Sequence, residues 1–256
     1  MISIIIPTYN EEKNIERCLK SLKNQTIPRN EFEVIIVDGQ SKDRTVEVAK
    51  RYADKVIQQK SKGVGGARND GVKVSKGEII ATTDADCVLF KNWIERIQKN
   101  FKDEEIVGLY GLQEPIDIAE KLKKILKDNP NSMIKFRIKI EELKFRILFA
   151  LEKIRLKLGE IFGVDLICGA NFAFDRKSFE KVGGFSDLPI LDDFEIGVRL
   201  KSLGKVVLDI NMRVGYSVRR IEKSGILKRI VFSLDKYIKV LLKKKIKAKY
   251  FKEEYD

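Results

Sequence analysis

The chain has 256 residues, 43% of them apolar, and a formal net charge of +13. It is long enough for one full α/β domain or two small ones. It holds no histidine, which excludes Ser-His-Asp and Cys-His catalysis and His-ligated zinc. A general base must then be a carboxylate, Lys, Tyr or Cys. Cys18, Cys87 and Cys168 are isolated and lack metal-ligand spacing, so they read as reduced thiols of a cytosolic protein. The first residues lack the basic flank of a signal peptide, and no apolar run is long enough for a membrane span.

Strand and helix patterns alternate through the first half. Ile2–Ile6 predicts a short apolar strand. Asn10-Glu11-Glu12 opens a helix with Ile15, Cys18, Leu19 and Leu22 on one face, and Asn10 is the expected N-cap. Glu33–Val37 is the next strand, ending in Asp38-Gly39. Ser41 and Asp43 are expected to cap a helix reaching about Ala53. Lys55–Gln58 follows as a strand, Gly63–Val74 as a glycine-led helix and Ile79–Thr83 as the fourth strand. Lys91–Phe101 reads as a helix and Ile106–Leu112 as a strand. Such alternation predicts a doubly wound, mostly parallel sheet. Ligands bind such sheets outside the C-terminal strand ends, so Tyr9-Asn10, Asp38-Gly39 and Asp84-Ala85-Asp86 should share one edge.

The second half differs. Residues 116–160 carry a net charge of +5 and residues 216–256 a net of +8, which leaves the rest of the chain neutral. In the first segment Ile140, Leu143, Ile147, Leu151, Ile154 and Leu158 fit a helical stripe, whereas 134–140 alternates and leaves the helix start open. Cys168–Phe174 reads as a strand, Arg176–Lys181 as a capped helix, Leu191–Leu203 as a helix and Val206–Leu208 as a final strand. Residues 224–250 read as a basic helix or helix pair. Two readings stand for the basic segments. Their apolar stripes enter a headgroup region while Lys and Arg meet anionic lipid, or the stripes pack on the core beneath a solvated basic face. The expected units are 1–115, the helical insertion 116–160, a second half 161–215, and the C-terminal helices 216–256.

The chemistry gathers at strand ends. Asp84 and Asp86 close the fourth strand, where two neighbouring carboxylates suit a hard divalent cation shared with phosphate. Gly63-Val64-Gly65-Gly66-Ala67-Arg68 favours close backbone approach before a helix, yet Arg68 stands where a dinucleotide fingerprint needs Gly or Ala. Asp192-Asp193 opens a late helix, where the helix dipole favours acids.

Together Ile6-Pro7-Thr8-Tyr9-Asn10-Glu11, Val37-Asp38-Gly39, Thr83-Asp84-Ala85-Asp86 and Leu191-Asp192-Asp193-Phe194-Glu195 resemble the family 2 glycosyltransferases of the GT-A fold. Gly169-Ala170-Asn171 and Val182-Gly183-Gly184-Phe185 look like that family's acceptor-side region. The match covers about residues 1–115 and 165–210. The resemblance implies a GT-A-type sheet carrying a basic helical insertion and a basic C-terminal segment. It implies inverting transfer of a hexose or N-acetylhexosamine from a UDP- or GDP-sugar, with Mn2+ or Mg2+, to an acceptor hydroxyl, which a lipid could carry at the inner face of the cell membrane. Pro7, Tyr9, Glu11, Asp38, Arg68 and Asp84 would line the nucleotide sugar. Asp86, with Asp84, would hold the metal, and Asp86 would be its direct ligand. Asp193 would be the base, tuned by Asp192, while Gly169 and Asn171 would face the acceptor. Processive members carry a Gln-x-x-Arg-Trp motif. Here the only Trp is Trp93, far upstream, and Arg219-Arg220 instead would meet the pyrophosphate, so transfer of a single sugar is expected. A nucleotidyltransferase would use similar acids. A basic nucleic-acid binder or a membrane scaffold would leave the four motifs unexplained, and no nucleic-acid partner is expected.

Overall fold

The computed structural model describes residues 1–116, 132–188 and 191–217. The strands are β1 (Ile2–Thr8), β2 (Phe32–Asp38), β3 (Lys55–Gln58), β4 (Ile79–Thr82), β5 (Cys87–Leu89), β6 (Ile106–Pro115), β7 (Phe172–Asp175) and β8 (Lys205–Tyr216). The helices are α1 (Ile15–Lys23), α2 (Thr45–Ala49), α3 (Gly63–Val74), α4 (Trp93–Asn100), α5 (Ser132–Ile161), α6 (Arg176–Lys181) and α7 (Asp192–Leu200). The expected basic segment 216–256 lies outside the described residues beyond Ser217, and Arg219 and Arg220 lie there too.

The strands form one sheet in the order β3-β2-β1-β4-β7-β6-β8-β5. β1 pairs in parallel with β2 and β4, β2 with β3, and β6 with β8. β7 runs antiparallel between β4 and β6, and β5 antiparallel along β8. The predicted sheet is thus mostly parallel and flanked by helices, with two reversed strands.

β1 and β2 are continuous apolar runs because both of their faces are covered. Side chains alternate between faces: Ile4, Ile6, Val34 and Ile36 pack into one core with α1 and α4, while Ile5, Ile35 and Val37 pack into the other with α3, α6 and α7. In the second core Phe174 stacks on Phe179 at 4.6 Å and meets Phe185 edge-on at 5.9 Å. Each fully buried side chain of this size contributes roughly 1.5–3 kcal/mol through burial.

Several expected boundaries move. Asn10 does not cap α1. It has φ 51°, and α1 begins five residues later. Instead its main-chain N–H donates to Ser41 Oγ and its Oδ1 accepts from Lys42 N, which ties the loops after β1 and β2 together. Asp43 accepts from Thr45 N, but α2 ends at Ala49, short of Ala53. The 134–140 alternation gives way to α5, whose helix starts at Ser132. Cys168–Phe174 is not one strand: a single 3-10 turn, Gly169–Asn171, precedes β7. β8 is longer than expected at 12 residues, and β5 was not anticipated. Three residues beside a turn carry too weak a pattern to announce a strand.

Candidate active site

The C-terminal ends of β1, β2, β3 and β4 open onto a cleft of about 600 Å³, closed on its far side by the turn before β7 and the start of α7. The volume is ordinary for a cofactor-sized ligand. Pro7, Tyr9 and Glu11 line the wall built by β1. Glu11 is buried and accepts from Asn14 Nδ2 at 2.7 Å. Asp38 lies beneath the surface, where Oδ2 accepts from Gln40 N and Ser41 N, so Gly39 and Gln40 form the wall in its place.

Arg68 is at the centre. It is buried, its Nη1 donates to Asp192 Oδ2 at 2.9 Å, and its Nη2 lies 3.4 Å from Asp84 Oδ1. Burial works against its charge, but Asp192, Asp84 and Asp193 outweigh that and hold the guanidinium firmly protonated. Two glycines make room for it. A Cβ on Gly169 would lie 2.3 Å from the guanidinium, and a Cβ on Gly65 would lie 2.8 Å from Asp192 Oδ2. The glycine-rich stretch therefore brings α3 against an ion pair that joins the end of β4 to the start of α7.

Asp193 sits in the first turn of α7 and lines the cleft. Its Oδ2 accepts from Gly169 N at 2.5 Å and its Oδ1 from Phe194 N at 2.8 Å. Burial, then the adjacent charge of Asp192, pushes its carboxyl up to about 6, against the pull of Arg68 and the two N–H groups. A carboxylate poised near neutrality in a cleft is a candidate base.

The two acids after β4 are not equivalent. Asp84 lines the cleft, with its side chain 29% exposed, whereas Asp86 is buried beside the Cys87 thiol and is not on the cleft wall. Among the described residues no group of three or more His, Cys, Asp or Glu is placed to hold a metal. The donor chemistry still fits a hard cation. The pair supplies only oxygen, and Mg2+ commonly takes one or two carboxylates and completes its shell with substrate phosphate and water.

Asn171 does not face the cleft. It is fully buried, accepts from Trp93 Nε1 at 2.8 Å, and donates through Nδ2 to Leu112 O and Met212 O. It clips α4 to β6 and β8. Gln59, Lys42, Cys168 and Leu191 line the cleft without having been singled out. Gln59 directly follows β3, so the rule of strand ends that marked Tyr9 and Asp84 would have found it. All three non-glycine residues with positive φ among the described residues, Asn10, Gln40 and Leu191, flank this cleft. Such backbone costs of order 1–3 kcal/mol each and clusters at functional sites.

A mostly parallel, helix-flanked sheet whose fourth strand is followed by Asp84 on the cleft wall, with a carboxylate-led helix on the far side of that cleft, is the GT-A arrangement. The model of Glycosyl transferase family 2 matches residues 3–183, and the chain belongs to that family. The probable glycosyltransferase YdaM of Bacillus subtilis is 30% identical over 79% of this chain and 47% of its own length. Glycosyltransferase AglE of Haloferax volcanii is 39% identical over 37% of this chain and 33% of its own. The chain thus spans between a third and a half of these relatives. The structure of mannosyltransferase PcManGT from Pyrobaculum calidifontis, in complex with GDP-Man and Mn2+, matches with a TM-score of 0.61 over 99% of this chain and 67% of that one. At 19% identity this likeness shows the fold.

Proposed function

We propose that the chain transfers one sugar from a UDP- or GDP-sugar to an acceptor hydroxyl, which a lipid could carry, with inversion at the anomeric carbon and with Mn2+ or Mg2+. The observation that carries this reading is Asp193: a carboxylate with a raised pKa, held by two main-chain N–H groups, facing the cleft that Asp84 lines. The GDP-Man and Mn2+ in the PcManGT structure support a nucleoside-diphosphate sugar and a divalent ion.

Pro7, Tyr9, Glu11 and the Gly39-Gln40 turn form the donor wall, and Asp38 supports that turn from below. Asp84, on the cleft wall, would hold the cation, which when bound would neutralise the diphosphate, whereas Asp86, expected as the direct ligand, is buried off that wall. Arg68 holds Asp192 in place beside Asp193. Asp193 accepts the proton of the acceptor hydroxyl as that oxygen attacks the anomeric carbon opposite the leaving diphosphate. The N–H groups of Gly169 and Phe194 fix the carboxylate's orientation without removing its basicity.

The test is release of UDP or GDP from a panel of nucleotide sugars with Mn2+ or Mg2+, measured on the wild type and on Asp193→Asn. The variant should lose at least about a hundredfold in rate, the range of a positioned base. Undiminished transfer would sink the base assignment. Formation of sugar 1-phosphate and UTP or GTP on adding pyrophosphate, with no nucleoside diphosphate released, would instead mark nucleotidyl transfer.

A further inference from the structure

The C-terminal half of α5 meets the body of the protein through Leu156 and the half-buried Phe149, both packed in the second core, and through the buried Gly159. On the opposite side of the helix, at 3.6 residues per turn, Ile140, Leu143, Ile147, Leu151, Ile154 and Leu158 point away from the body, each 38–57% exposed. Lys139, Arg146, Lys153 and Lys157 each precede a member of that stripe, and all four are exposed. They form a basic row along its edge. The helix therefore has three faces: a seam against the core, an outward apolar stripe, and a basic border.

We propose that this outward face of α5 docks the protein on an anionic lipid surface, with the helix lying in the headgroup plane. Charge complementarity selects the occupant. A second copy would set a basic row against a basic row, which is repulsive, whereas anionic headgroups attract each base near the surface. The stripe's spacing selects a flat partner. From Ile140 to Leu158 it advances five steps in 18 residues, the period of a straight helix, whereas a strict seven-residue repeat winds round a partner helix. At 30 residues α5 is about 45 Å long, yet no described helix is apolar enough to cross a membrane, so it lies on the surface. This docking rests on α5 alone and stands or falls independently of the transfer reaction.

The test is co-sedimentation of the full chain with vesicles of phosphatidylcholine alone or mixed with phosphatidylglycerol, at low and high salt. Wild type should sediment with the anionic vesicles only and be released by salt. Ile147→Ser/Leu151→Ser should lose binding by about tenfold or more, as should Lys139→Glu/Arg146→Glu/Lys153→Glu, with unchanged circular dichroism. Retained binding in the apolar double variant would overturn the proposal and place the contact on another segment. So would a wild type that ignores anionic vesicles. A dimer in sedimentation velocity that the double variant abolishes, with lipid binding unchanged, would show that the stripe's occupant is a second copy.

Discussion

At the scale of single residues, Asp193 sets a conflict between stability and chemistry. Its folded-state pKa of about 6 lies above the ordinary aspartate value of 3.8. The folded state therefore binds this proton more tightly than the unfolded chain does. The stabilising contribution is complete below the unfolded pKa and is lost as pH rises through about 6. The proposed base role needs the opposite protonation state, so transfer should rise with pH through the same region. Asp193→Asn should be inactive yet melt higher than wild type at pH 8, with the gap closing toward pH 4. Melting curves across that range check both the sign and the site. Equal melting points at every pH would show that the carboxyl is not strained by ionisation. Asp192, by contrast, has Arg68 as a direct partner.

At the scale of elements, what could be read from the sequence depended on how local the determinants were. β1 to β4 and α3 were legible because long apolar runs and a glycine-led helix announce themselves. β5 was not legible, because its three residues acquire meaning only from pairing with β8 more than a hundred positions later. Asn171 was misplaced for the same reason. The segment Gly169-Ala170-Asn171 carries a site-like pattern, but only the fold reveals that Trp93 and two carbonyls surround the amide. The acids at strand ends could be found by rule, while the burial of Asp86 beside the Cys87 thiol depends on tertiary packing. The joint of β6 and β8 is equally non-local. Their register shifts between Gly111 and Leu112, where a Cβ on Gly111 would lie 2.0 Å from Met212 O. Backbone cannot yield as a side-chain tip can. Gly111→Ala should therefore cost at least about 1–3 kcal/mol, read as a lowered denaturant midpoint with an unchanged slope. A neutral result would mean that the bulge relaxes freely.

At the scale of the whole molecule, the sheet runs unbroken from β3 to β5, and one apolar core joins Ile4 of β1 to Val214 of β8. The proposed donor wall and the proposed base therefore belong to one cooperative unit, although they come from opposite halves of the chain. Arg68 reinforces this by bridging Asp84 and Asp192, 108 residues apart in sequence. Thermal unfolding should show a single transition. A bound nucleotide sugar with Mn2+ should move that transition upward as a whole, by about 2.7 kcal/mol of added stability at a hundredfold excess over Kd. Calorimetry with and without EDTA checks this. Two transitions, only one of them responsive to ligand, would show that the halves melt separately.

The tryptophan that Asn171 accepts from gives this molecule an optical property of its own. Trp93 is the chain's only tryptophan, and it is completely buried. Its indole N–H is tied to the clip that holds α4 against β6 and β8. Light absorbed at the red edge of the protein spectrum is therefore emitted from one known point. The colour of that emission reports whether water has reached the joint between the two halves, with no label attached.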